Sequence, residues 1–93
     1  MTNTFRVTGS STFVLAVDGA NYGRFGLQAV SYADVLVFIG TAAPIENTDD
    51  YIVLAEGKTR ELVANLDTAD KVYVRCKVDG STLVVRGFRE GRT

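Results

Sequence analysis

Catalysis in this chain would have to come from its carboxylates. The 93 residues include no histidine and one cysteine, Cys76. The commonest general base is therefore missing, and so are the Ser–His and Cys–His nucleophile pairs. One cysteine and no histidine cannot assemble a structural zinc site or an intrachain disulfide. The acids that stand together are Asp49 and Asp50, with Glu46 and Asn47 just before them. Glycoside hydrolysis needs two carboxylates across a cleft, and a chain this short with no tryptophan has little with which to build one. The same four residues match no EF-hand spacing. They read as solvated loop charge. Gly19, Gly23 and Gly26 lack the Gly-Lys-Ser/Thr ending of a phosphate loop and read as backbone turning points. The sequence predicts no enzyme, no cofactor and no metal.

Binding chemistry has more to work with. From Lys71 to Val78 the chain alternates strictly. Val72, Val74, Cys76 and Val78 point one way, and Lys71, Tyr73, Arg75 and Lys77 the other. Arg86 follows on the next run and completes a candidate polar contact face of Lys71, Tyr73, Arg75, Lys77 and Arg86. From Lys71 onward six bases stand against two acids, a net +4 that leaves −5 on the first 70 residues. Such asymmetry suits an acidic partner or an acidic patch on another copy, or simply a solvated strand face. Bases interleaved with an aromatic also describe an OB-type single-strand platform. A net charge of −1 and one obvious stacking residue, Tyr73, weigh against nucleic acid. Tyr22 and Tyr32 could stack on a sugar, though turn and core roles are commoner for tyrosine. Cys76, among valines, reads as a small core hydrophobe.

The elements that must position these residues are strands. Turn signals cut the sequence into about eight short apolar runs: Thr4 to Thr8, Thr12 to Val17, Leu27 to Ser31, Asp34 to Gly40, Tyr51 to Ala55, Thr59 to Asn65, Lys71 to Val78 and Ser81 to Phe88. Asn21 to Gly26 reads as a glycine-rich loop. Gly57 to Asn65 is the one helical candidate, and its apolar residues form no stripe, so strand is preferred. The Asp79-Gly80 pair predicts a tight hairpin joining the last two strands. Regular turn spacing makes the chain one all-β domain spanning 1–93, an antiparallel sandwich or jelly-roll-like barrel. No apolar run reaches the ~18 residues of a spanning helix, and no membrane role is expected. The start of the chain has no basic-then-apolar leader pattern.

Two runs break the alternation. Phe13-Val14-Leu15-Ala16-Val17 and Val35-Leu36-Val37-Phe38-Ile39 are apolar on both strand faces. A two-layer sandwich has one inner face per sheet, so something else must cover the other. The cover is either the stretches Gly19 to Gly26 and Ala42 to Asp50 or a second subunit. Phe13, Leu15, Val35, Val37 and Ile39 are the candidate interface.

The second half reads Tyr51-Ile52-Val53-Leu54-Ala55-Glu56-Gly57, Thr59-Arg60-Glu61-Leu62, Val72-Tyr73-Val74-Arg75 and Gly80-Ser81-Thr82-Leu83-Val84-Val85. Over about the last forty residues this succession resembles small accessory virion proteins of tailed bacteriophages. The resemblance implies a non-catalytic β-sandwich, made in the host bacterial cytoplasm and ending in the virion. There it would be a capsid decoration or cement protein on the major capsid protein, or part of a fibre or tail junction. It implies a homo-oligomer, with a trimer among the forms allowed. A carbohydrate- or receptor-binding β-module is the first alternative, and a small OB-like nucleic-acid-binding barrel the second.

Overall fold

Residues that alternate in polarity can bury one face only by stacking two sheets, and this chain does so. The computed structural model describes residues 2–9, 12–29, 34–45, 48–54, 61–76 and 83–91. They form eight strands: β1 (Thr2–Gly9), β2 (Val14–Asp18), β3 (Tyr22–Ala29), β4 (Val35–Gly40), β5 (Ile52–Leu54), β6 (Glu61–Asn65), β7 (Lys71–Cys76) and β8 (Leu83–Gly91). One antiparallel sheet has the order β1-β8-β3-β6 and the other β2-β7-β4-β5. The expected all-β sandwich is what forms, and the stretch weighed as a helix contributes strand β6.

The core is built from in-register rows, because residues opposite each other on neighbouring strands share a face. In the first sheet the inward rows are Phe5-Gly87-Leu27-Leu62 and Val7-Val85-Ala29. In the second they are Val14-Val74-Val37-Ile52 and Cys76-Val35-Leu54. Phe25, Leu54, Val35, Val37, Val72, Val74, Cys76 and Val85 are sealed from solvent, and no polar side chain among the described residues is fully buried.

Three expectations are corrected. Asn21 to Gly26 is mostly strand, since β3 runs through it. Its glycines serve packing: a Cβ on Gly26 would overlap the Phe88 ring, and the ladder shifts register between Tyr22 and Arg24, around Gly23. This stretch therefore does not drape over the apolar strands.

The hairpin of the last two runs does not form. β7 lies between β2 and β4, while β8 lies between β1 and β3 in the other sheet. Asp79 and Gly80 fall outside the described residues. An Asp-Gly pair favours a turn but does not dictate which strands it joins. Successive described strands change sheet everywhere except at β4 and β5, so short-range hairpin logic fails for most of this chain.

The third correction concerns the apolar runs. Val35 and Val37 are core residues at 0% and 1% exposure and cannot touch a partner. Ile39 shares their inward face, opposite Val72, but lies at the sandwich margin and is partly exposed. In β2 a register shift between Leu15 and Val17 turns Ala16 and Val17 inward together. A bulge of this kind puts two consecutive apolar residues on one face.

The turns that change sheet hold each other. Gly19 N donates to Asp70 O at 2.7 Å, Asp67 N donates to an Asp70 carboxylate oxygen at 3.2 Å, and Leu66 N donates to Gly23 O at 2.8 Å. A Cβ on Gly19 would collide with the carbonyl oxygens of Asp67 and Asp70, so only glycine fits where these turns dock.

Candidate protein-binding face

Strand β7 has the clearest alternation in the chain and divides its neighbours into inside and outside. Val72, Val74 and Cys76 are at 0% exposure. The residues between them therefore face away from the core, and pairing carries that assignment to β2, β4 and β5. One outward row is Leu15-Tyr73-Phe38, and the next is Arg75-Leu36-Val53. Phe13 joins them from just before β2. Its ring meets Phe38 edge-on at 6.3 Å between centroids and 65° between planes. Phe38 in turn contacts Tyr73 at 6.5 Å. Edge-to-face pairs of this kind add about 0.5–1.5 kcal/mol beyond burial and fix ring orientation.

The cations of this face are tied down. The Arg75 guanidinium lies 5.6 Å from the centre of the Phe13 ring, and its Nε donates to the Cys76 carbonyl at 3.1 Å. Lys71 Nζ sits 3.5 Å from Asp18 Oδ1 at the end of the sheet. The result is a surface of aromatic and aliphatic side chains on the outside of the sandwich, with Leu15 47% exposed at its edge. Leu36 is only 6% exposed although it belongs to an outward row, which shows how closely this layer packs.

Asp18 is held charged at this margin. Its Oδ1 accepts from Ala20 N at 3.0 Å, and Lys71 adds its field. The backbone hydrogen bond is the main reason the carboxyl lies below its ordinary value of 3.8, with Lys71 assisting against partial desolvation. A carboxylate depressed in the folded state stabilises the fold above the unfolded-state value and stops doing so as pH falls through the folded one. Asp18→Asn is therefore expected to flatten the acid limb of a stability–pH curve below about pH 4. Urea titrations from pH 2.5 to 7 measure this, and an unchanged acid limb would show that Asp18 plays no part in it.

The structure thus merges part of each candidate set. Phe13 and Leu15 from the interface set share one face with Lys71, Tyr73 and Arg75 from the polar set. Val35 and Val37 leave it for the core, and Ile39 for the inward margin. Lys77 lies outside the described residues. Arg86 stands on the outer face of the opposite sheet, paired in register with Arg6 and Gln28, so it belongs to no common contact surface with β7. An OB-type nucleic-acid platform of these residues loses its shared face, since Arg86 lies on the other sheet, while Lys71 and Arg75 are engaged by Asp18 and by Phe13 and the Cys76 carbonyl.

Phe38, Leu36 and Val53 complete the face and were not foreseen. The signal that finds them is register: once Tyr73 is outward, Phe38 must be. Tyr22 is half-buried and packs on Arg89, whose guanidinium lies 4.5 Å from the Tyr22 ring and 4.8 Å from the Phe5 ring. That ring is occupied inside the fold, and Tyr32 lies outside the described residues. Comparison with family models, with curated proteins and with solved structures gives no match to this chain.

Proposed function

We propose that this chain is a non-enzymatic assembly module of a tailed-phage virion, docking another protein subunit on the outward face of the β2-β7-β4-β5 sheet. The observation that carries it is the Leu15-Tyr73-Phe38 row with Phe13 against it. A sandwich needs one apolar face per sheet, and this sheet has two. Interface centres are enriched in aromatics and arginine and depleted in other charges. Among the described residues this face has three aromatic rings, one arginine, and a lysine at the margin.

The resemblance of the last forty residues supplies the setting. The chain acts as a decoration or cement protein on the major capsid protein, as a homo-oligomer. Folding without disulfides suits synthesis in a bacterial cytoplasm.

Co-sedimentation with empty phage capsids tests the reading. Wild-type protein is expected to saturate the shell. Leu15→Asp is expected to weaken binding at least about tenfold, a loss of ~1.4 kcal/mol. Because Leu15 is half-exposed, the same change should move stability by no more than about 0.5–1 kcal/mol. Unchanged capsid binding by Leu15→Asp would remove this face from the interface. A wild-type chain that ignores capsids and runs as a monomer at micromolar concentration would end the virion reading.

A further inference from the structure

The outer face of the other sheet carries a different surface. Its rows cross all four strands: Arg6-Arg86-Gln28-Glu61, then Thr4-Phe88-Gly26-Val63, then Thr2-Glu90-Arg24-Asn65. The acids here are already engaged. Glu90 takes Arg24 at 3.4 Å, and Glu61 accepts from Gln28 Nε2 at 3.3 Å. Arg6 and Arg86 are left directly opposite each other, with no acidic partner among the described residues. Like charges at directly opposed positions destabilise a sheet. Two always-charged guanidinium groups cannot relieve this by losing a proton. An open groove of about 510 Å³ lies over them, lined by Thr4, Phe5, Arg6, Gln28, Arg86 and Gly87. Small-ligand sites commonly measure about 300–1,000 Å³.

We infer that the Arg6–Arg86 groove is a binding site for a phosphate monoester of about monosaccharide size. Guanidinium forks match tetrahedral oxyanions bidentately. A monoester carries about −1.5 to −2 charge at neutral pH, which balances two guanidiniums, whereas one carboxylate balances only one. Gln28, held by Glu61, and the Thr4 hydroxyl stand beside the pair as neutral hydrogen-bonding groups for the rest of the ligand. The site lies on the opposite face from the proposed docking surface and does not depend on it.

The test is a ¹⁵N-labelled NMR titration of the whole chain with glucose 6-phosphate, glucuronate and glucose. Glucose 6-phosphate is expected to shift the amides of Thr4, Arg6, Gln28, Arg86 and Gly87 with millimolar or tighter affinity. Glucuronate should bind at least about threefold more weakly, glucose should leave the spectrum unchanged, and 0.5 M salt should weaken the response. Arg6→Gln with Arg86→Gln should cut affinity at least about tenfold. Since that double change also removes the repulsion, it should hold or raise the melting temperature. Absence of shifts with glucose 6-phosphate would overturn the site. Equal response to glucuronate, or retained affinity in the double variant, would overturn the phosphate assignment to this pair.

Discussion

Val37→Asp is expected to leave the chain unfolded at 25 °C. Val37 is 1% exposed, in the inward row between Val74 and Ile52. A carboxylate there has no basic residue in its row and no route to water. An uncompensated buried charge costs about 3–5 kcal/mol or more, and protonating the group to escape still strands a polar group in an apolar layer. A domain of this length is stable by only about 5–14 kcal/mol, and small cores sit at the low end. Loss of the strand signal in circular dichroism and of dispersed amide resonances would show the collapse.

Ile39→Asp is the matched control. It places the same charge on the same strand and the same inward face, but at the partly exposed margin opposite Val72, and its expected cost is about 1 kcal/mol. If both variants fold equally well, the inward assignment of β4 is wrong.

Gly87→Ala is expected to be nearly as damaging, with no change of polarity. Gly87 stands in the inward row between Phe5 and Leu27. A Cβ there would overlap the carbonyl oxygen of Gly26 and approach the Leu27 Cα at 3.3 Å. Both atoms are backbone of the paired strand, so no rotamer change relieves them. β8 and β3 would have to part at the middle of their sheet, at a cost of about 3 kcal/mol. For a chain of this size that lowers the melting temperature by roughly 12–24 °C. Gly26→Ala meets the edge of the Phe88 ring instead. That ring can swing toward solvent, so the loss there should be about 1 kcal/mol. Equal melting temperatures for the two variants would show that the strands are not held this closely at Gly87.

Much of this fold was legible because polarity alternation needs only local information. The strict pattern of residues 71–76 gave β7 and its buried row directly. Seven of the runs match strands with ends shifted by a few residues, whereas β3 begins at Tyr22, five residues before the run Leu27 to Ser31. What local pattern cannot give is the sheet to which each strand belongs. Asp79-Gly80 and Asp18-Gly19 are equally strong turn signals. Asp18-Gly19 leads from β2 to β3, which lie in different sheets, and the strands on either side of Asp79-Gly80 likewise do.

The candidate site suffered for the same reason. A run that is apolar on both sides has no sequence mark for inside. Val35, Val37 and Ile39 were thus as plausible outward as Leu36 and Phe38, until β7 fixed the register. The bulge at Ala16 was equally invisible, since its one symptom is an extra apolar residue. Nothing local in the sequence marks Arg6, because its neighbour Arg86 lies eighty positions away.

Strand β8 has a consequence in time. It is the last of the described strands in chain order and an interior strand of its sheet, flanked by β1 and β3. At about 5–20 residues per second, β1 leaves the ribosome several seconds or more before its partner exists. During that interval β1 and β3 have unmet edges, which recruit wrong partners readily. Closing a sheet whose first and last strands pair is slow, in the millisecond-to-second range of β-rich domains. The nascent chain is thus most vulnerable to mispairing just before β8 emerges, when chaperone cover would matter most.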